Sequence, residues 1–390
     1  MRIVFLDQYS ESGGAQLCLG DVLQAVADWG WQGELWAPGD GALHGIARSC
    51  GFETRLLPLR DYTNGRKSMS DVIRYVADAV HCRKLLVSDL RERPVDVIYV
   101  NGPRALPAVA GLHVPVLFHS HSVLDKRYSR WIARWSLEGG RARILASSHY
   151  LGTQLRKLFG PHAVRVVYNG VPDYGRGHLL KDHASPDLRV GIVGRIAPEK
   201  GQLEFLQMAH LLAGHGGLRF VVVGQGMFSA PGYEGSVRRL GESLGVEFTG
   251  WLHAAEIYRK LDILAVPSAV YDANPRVIIE AMSAGTCVVA YRSGGISELV
   301  TNGHDGLLTE RNPEALASAI RTLADDVELQ KRLRTNGRKT FERRFTVPRF
   351  QKEVCEAIAG LVGGRALDAS EWRSVGRETG HANEISNVSP

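Results

Sequence analysis

Short apolar runs, each stopped by a glycine, a proline or a polar turn, recur along this chain, and stretches of helical spacing separate them. Residues 2–7 read as a first strand, after which Gly13-Gly14-Ala15 opens a helix to about Asp28. Residues 33–37 and 54–57 read as further strands. A polar excursion over 61–67 leads into a helix over 70–91, with apolar residues at Val72, Ile73, Val76, Ala79 and Val80. Strands follow at 95–100, ended by Asn101-Gly102, and at 115–118, running into His119-Ser120-His121-Ser122. Two more are predicted at 144–147 and 164–168. Beyond a stretch rich in glycine, histidine and charge (172–186), the pattern resumes with strands at 190–193, 220–223, 246–249, 263–267 and 287–291. Helices are predicted at 203–213, 277–283 and 312–323, the last with Asn312 as cap and Pro313 at its first position. A final helix covers 345–361, and from Gly363 onward the chain is polar and predicts a disordered tail. Buried strands alternating with helices are the grammar of doubly wound parallel sheets.

In such sheets ligands bind at the carboxyl ends of the strands. The stretch 262–308 carries the densest set of polar groups at such ends. Asp272 lies after the strand at 263–267, and Glu280 follows eight residues later on a helix. Gly294 and Gly295 lie after the next strand, where bare backbone N–H groups can face a phosphate. The strand at 190–193 ends at Gly194-Arg195, with Lys200-Gly201 just beyond, so two cations can face one diphosphate. Gly13 and Gly14 form a similar strand-to-helix turn, which lets a ligand approach the helix N-terminus. Carboxylates for sugar hydroxyls together with glycine turns and cations for phosphate suit a nucleotide-sugar.

The string P-R-V-I-I-E-A-M-S-A-G, followed by S-G-G-I-S-E, resembles the donor-binding signature of retaining glycosyltransferases of family 4. That family pairs an acidic residue, usually Glu, with a second Glu eight positions on. Asp272 stands at the first position here, one methylene short, and Glu280-Ala281-Met282 supplies the second. The resemblance covers about residues 1–362 and implies an α/β protein of the GT-B fold. Two Rossmann-like doubly wound domains would face across a cleft, with a C-terminal helix crossing back. The boundaries it suggests are 1–170, a linker at 171–186, 187–344, the crossing helix at 345–362 and the tail at 363–390.

The resemblance also implies site residues. His121 would contact the transferred sugar, with His119 as the competing assignment. Arg195 and Lys200 would hold the diphosphate, Glu280 the ribose hydroxyls, and Asp272 the donor sugar. Gly13, Gly14, Gly194, Gly224, Gly294 and Gly295 would line the donor, and Trp251 or Leu252 would border the base. Transfer from a UDP- or GDP-sugar to a hydroxyl would retain anomeric configuration without an enzyme nucleophile, the leaving diphosphate taking the acceptor proton. The family needs no metal, and no D-x-D motif or ligand cluster asks for one. A nucleotide-sugar epimerase and an inactive nucleotide-sugar-binding protein remain as alternatives. A nicotinamide oxidoreductase does not fit, because no G-x-G-x-x-G with a downstream acid is present.

Composition changes this picture in one place. The 390 residues are 44% hydrophobic and 23% charged, ordinary for a globular protein, and no apolar run is long enough to span a membrane. Five cysteines without metal-like spacing fit a reducing cytoplasm. The net charge of +6 lies wholly within residues 1–170, which suggests an anionic partner. Lys126, Arg127, Arg130 and Arg134 interleave there with Tyr128, Trp131 and Trp135. On a helix this suits contact with anionic lipid headgroups, and equally an amphipathic helix whose tryptophans pack on the sheet. The expectation is a cytoplasmic protein, peripheral on the inner face of the membrane, that binds no nucleic acid and builds an envelope polysaccharide, lipopolysaccharide or glycolipid.

Overall fold

The computed structural model describes residues 1–11, 13–60, 68–175, 187–226 and 232–363. Two parallel sheets form its frame. The first contains β1 (Arg2–Asp7), β2 (Gln32–Ala37), β3 (Glu53–Leu56), β4 (Val97–Asn101), β5 (Val116–Ser120), β6 (Ala142–Ala146) and β7 (Val164–Val166), in the order β3-β2-β1-β4-β5-β6-β7. The second contains β8 (Leu188–Val193), β9 (Leu218–Val223), β10 (Glu247–Gly250), β11 (Ile263–Val266), β12 (Cys287–Tyr291) and β13 (Leu307–Thr309), in the order β10-β9-β8-β11-β12-β13. The central strands β4, β5, β11 and β12 are buried along their whole length, as apolar runs covered on both faces must be.

Strand order decides which helix covers which face. The chain steps outward from β1 to β3 and then returns to lay β4 beside β1. Right-handed crossovers therefore switch faces at that point. Helices Gly14–Asp28 and Ala42–Ser49 pack on one face with Ile3, Phe5 and Tyr99. Helices Met69–Glu92, Arg127–Leu137 and His149–Phe159 pack on the other, through residues such as Cys82, Leu86, Ala133 and Leu151. The two switch points, β1/β4 and β8/β11, are where such sheets open a crevice at their carboxyl ends. The last helix, Val347–Val362, leaves the second sheet and inserts Phe350, Val354, Cys355 and Ile358 into the core beside β1 and β4.

Departures from the sequence pattern include the unpredicted helices Ala42–Ser49, His149–Phe159, Tyr233–Ser243 and Ala254–Lys260 and strand Leu307–Thr309. Three departures have a clear physical reason. The apolar residues Val72, Ile73, Val76 and Val80 face outward, and Ile73 is 64% exposed. The inner face of that helix is set instead by Asp78, Cys82, Leu86 and Asp89. Its two acids pair with Arg60 at 2.6 Å and with Arg55 and Arg93 at 2.8 and 2.6 Å. The tryptophans of helix Arg127–Leu137 do not pack on the sheet. Trp131 is 66% exposed and stacks on Trp135, while Ala133, Ser136 and Leu137 make the inward contacts. The helix Val327–Arg344 is absent from the apolar pattern because only Val327, Leu329, Leu333 and Phe341 are large and apolar along it. The excursion at 61–67, most of the linker (176–186) and the tail from 364 lie outside the described residues.

Candidate active site

At the first switch point, Asp7 ends β1, Asn101 ends β4, and β5 carries His119 and leads to His121. Parallel register sets Asp7 beside Asn101 and Asn101 beside His119. The Asn101 amide nitrogen donates to Asp7 Oδ2 at 2.5 Å, and its oxygen lies 2.7 Å from His121 Nε2. Asp7 Oδ1 accepts from the Tyr9 N–H at 2.8 Å and from Gln16 Nε2 at 2.9 Å. Burial pushes the Asp7 carboxyl up to about 6, against these hydrogen bonds. Burial, with the nearby Arg276 charge, pushes His121 down to about 3, so its imidazole is neutral at neutral pH. His119 is fully buried, bonded through Nδ1 to the Tyr99 hydroxyl at 2.6 Å and packed near Phe350. The half-buried His121 ring lies against it, with centroids 4.0 Å apart.

At the second switch point, three loops interlock through backbone. The Gly194 N–H bonds the Val223 carbonyl at 3.0 Å, and the Gly224 N–H bonds the Gly250 carbonyl at 2.8 Å. A Cβ on Gly224 would stand 1.9 Å from the Gly194 carbonyl oxygen, and φ is +142° there, so only glycine fits. Arg195 pairs with Glu199 at 3.0 Å, and Lys200 Nζ bonds Asp272 Oδ2 at 2.7 Å. Lys200 and the first acid of the motif are thus brought together at the ends of β8 and β11, while Arg195 is held by Glu199 within the loop after β8. Trp251, just past β10, is half-exposed, and Leu252 beside it is partly buried.

Glu280 sits on helix Arg276–Ser283, where burial raises its pKa and its Oε2 accepts from the Tyr258 hydroxyl at 3.0 Å. The expectation of two bare amides at Gly294-Gly295 needs correction. The Gly295 N–H donates to the Asp272 carbonyl at 2.9 Å, and a Cβ there would meet the Ala273 oxygen at 1.8 Å. The glycine pair buttresses the acidic loop by allowing close backbone approach.

Arg276 links the two halves. Its Nη1 donates to the Gly170 carbonyl at 3.0 Å and to Cys18 Sγ at 3.1 Å, with Asp21 Oδ2 at 3.6 Å. Its Nε lies 3.7 Å from Glu280, and its Cδ is 3.7 Å from where a Gly14 Cβ would be. Gly13, the residue before, caps helix Gly14–Asp28 with extended backbone. Glu298 reaches across as well, accepting from the His149 N–H at 2.7 Å and the Tyr168 hydroxyl at 2.8 Å. Asn274 donates to the Ser147 carbonyl. The spacing of motifs passed over Asp7, Gln16, Asn101, Tyr258 and Arg276. Of these only Asp7 and Asn101, each placed at a strand end, carried a local signal. Among the described residues no cluster of three His, Cys, Asp or Glu is placed to hold a metal, and no helix is long and apolar enough to cross a membrane.

Comparison with known proteins bears on the family and the fold. Residues 12–173 match the family model "Glycosyltransferase Family 4", and residues 187–326 match "Glycosyl transferases group 1". D-inositol 3-phosphate glycosyltransferase of Corynebacterium glutamicum is 32% identical over 184 residues, 44% of each chain. Lipopolysaccharide 1,2-N-acetylglucosaminetransferase of Salmonella typhimurium is 30% identical over 204 residues, 47% of this chain and 54% of that one. The match thus spans about half the length of these curated relatives. Anabaena HepE, solved in complex with UDP and glucose, superposes with a TM-score of 0.74 over 92% of this chain and 99% of its own, at 24% identity. The lipopolysaccharide-biosynthesis glycosyltransferase WaaG superposes with a TM-score of 0.69 over 94% of this chain and all of its own, at 17% identity. With a family model on each half and this architecture throughout, the chain belongs to the group 1, family 4 glycosyltransferases of the GT-B fold.

Proposed function

We propose that this chain transfers a glycosyl group from a nucleoside diphosphate sugar to a hydroxyl, with retention of anomeric configuration. The observation that carries the reading is a convergence. Lys200 and Asp272 meet at one switch point, His121 stands at the other, and Arg276 ties the Glu280 helix to the Gly14 turn. Glu280 takes the ribose hydroxyls, and its buried carboxylate makes charge-assisted hydrogen bonds there. Arg195 and Lys200 neutralise the diphosphate as the bond to the anomeric carbon breaks, Lys200 turning from Asp272 to phosphate. The acceptor oxygen bonds that carbon on the same face, and its proton passes to the departing diphosphate oxygen. Asp272 and the neutral His121 position the donor sugar, and the buried His119 has no part in it. In this reading the first sheet and its helices form the acceptor side, the second the donor side, and no metal takes part.

UDP bound to HepE and the lipopolysaccharide acceptor named for the Salmonella relative favour a uridine donor and an envelope glycan or glycolipid acceptor. The exposed Lys126, Arg127, Arg130, Trp131, Arg134 and Trp135 would seat the enzyme on an anionic membrane surface. A thermal-shift panel with UDP, GDP, ADP, CMP and NAD tests the site. A ligand held only by the folded state stabilises it by about 2.7 kcal/mol at a hundredfold excess over its dissociation constant. A shift with one nucleoside diphosphate supports the reading and names the base, whereas a shift with NAD alone overturns it. The Lys200–Asp272 ion pair favours a second reading, a nucleotide-sugar-binding protein without turnover. Nucleotide binding with no product from any donor and acceptor pair would support it.

A further inference from the structure

Building on that assignment of His121 to the substrate, we infer that Asn101, held in place by Asp7, is a positioning residue. It keeps the His121 proton on Nε2 and leaves Nδ1 as an acceptor for a substrate hydroxyl. A primary amide presents one acceptor oxygen and one donor NH2, so its orientation decides what it asks of a neighbour. Asp7 decides it here. An ionised carboxylate only accepts, and its Oδ2 lies 2.5 Å from Asn101 Nδ2, so the NH2 must point that way. A second contact, from Nδ2 to the Ala15 carbonyl at 3.3 Å, demands the same orientation. The Asn101 oxygen is then turned to His121 Nε2 at 2.7 Å, and Nε2 must supply the hydrogen. Asp7 and Asn101 are both buried, at 0% and 1% exposure, so solvent water does not take the place of either in their hydrogen bond.

The rest of the surroundings fit a neutral ring. The buried His119 lies on one side at 4.0 Å between centroids, and the Arg276 charge disfavours a second proton. Among the described residues no hydrogen bond is made to His121 Nδ1. A neutral imidazole with a fixed proton is directional, accepting at one nitrogen and donating at the other, and a partner group selects which. Gln16 and the Tyr9 N–H fix Asp7 in turn from Oδ1.

Asp7→Asn tests the arrangement because it keeps the shape and removes a buried charge. The oxygen of the new amide stays with Gln16 and the Tyr9 N–H, so its NH2 faces Asn101. Asn101 must then turn over and donate to His121 Nε2, which moves the ring proton to Nδ1. Long-range 15N–1H correlation on histidine-labelled protein reads the tautomer without substrate, and the His121 signals are those lost in His121→Ala. The wild type is expected to carry hydrogen on Nε2, and Asp7→Asn on Nδ1. Hydrogen on Nδ1 in the wild type, or an unchanged tautomer in Asp7→Asn, overturns the proposal. In turnover, read as nucleoside diphosphate released from UDP-glucose and GDP-mannose, Asp7→Asn is expected to lose about tenfold or more. UDP and GDP affinity should stay within about twofold, since only the sugar contact changes. Turnover that survives His121→Ala would instead sink the assignment of His121 to the substrate and leave the tautomer result standing.

Discussion

Replacing Arg276 by Met tests whether the two halves are held together by the cluster around that residue. The guanidinium is 9% exposed, makes two hydrogen bonds into the first half, and stands 3.6 and 3.7 Å from the carboxylates of Asp21 and Glu280. Methionine keeps much of the volume but leaves both carboxyls without their cation. Breaking a buried ion pair costs about 3–5 kcal/mol. Because both ion-pair distances are long and the Asp21 side chain is 21% exposed, the expected loss is at the low end, about 3 kcal/mol at neutral pH. The pH dependence carries the sharper test. Burial raises Asp21 to about 6 and raises Glu280 as well, so the folded protein binds these protons more tightly than the unfolded chain does. Their contribution to stability is therefore best at low pH and is lost as pH rises through the folded values. Removing Arg276 moves both further up, so the variant falls progressively behind the wild type above about pH 6. Near pH 5, below the Asp21 value, the Asp21 part of the loss is absent and the missing hydrogen bonds cost about 1 kcal/mol. Urea unfolding of both proteins at about pH 5 and about pH 8 measures the difference. An equal loss at the two pH values would refute the electrostatic account, and a loss below about 1 kcal/mol at pH 8 would show that the cluster does not hold the halves together.

Glu280→Ala should abolish the thermal shift given by the preferred nucleoside diphosphate while leaving a folded protein, and unchanged nucleotide affinity would remove Glu280 from the site. Asp272→Glu should keep donor turnover within about tenfold, since charge is retained and reach gains one methylene. A complete loss would show that the Lys200 pairing requires the shorter side chain. Gly295→Ala must displace the Ala273 carbonyl, 1.8 Å from the new methyl, and should lower the melting temperature together with activity. Trp131→Ala combined with Trp135→Ala should weaken flotation with anionic vesicles about tenfold or more while turnover on a soluble acceptor holds. Equal flotation of both proteins would dismiss that surface.

How much of this was legible in the sequence depended on how local each signal is. The strands were legible because a parallel strand covered on both faces must be an apolar run, as at Cys287–Tyr291 and Ile263–Val266. Asp272 and Glu280 stood out as candidates because they lie eight positions apart along one loop and helix, and Lys200 because it follows a strand end. The Lys200–Asp272 pair, 72 positions apart, was not encoded locally. The Asp7–Asn101–His121 chain was not, since its members lie 94 and 20 residues apart and meet only because β4 returns beside β1. Arg276 bonds Cys18 across 258 positions, a contact that no local pattern encodes. Helix Met69–Glu92 shows a different limit. Val72, Ile73, Val76 and Val80 follow helical spacing as an inward face would, yet Asp78, Cys82, Leu86 and Asp89 share a stripe of equally good spacing on the other side. Apolar content alone favours the first stripe. The second goes inward because Arg55, Arg60 and Arg93 wait there as partners, and a paired acid tolerates burial that an unpaired one does not. The information was in the sequence, but split between a strand, a loop and the helix itself, so only the fold could join it. What that choice leaves outside is an apolar stripe on the same face of the first sheet as Trp131 and Trp135, separated from them by the short 3₁₀ segment Pro103–Val109 that both helices pack against.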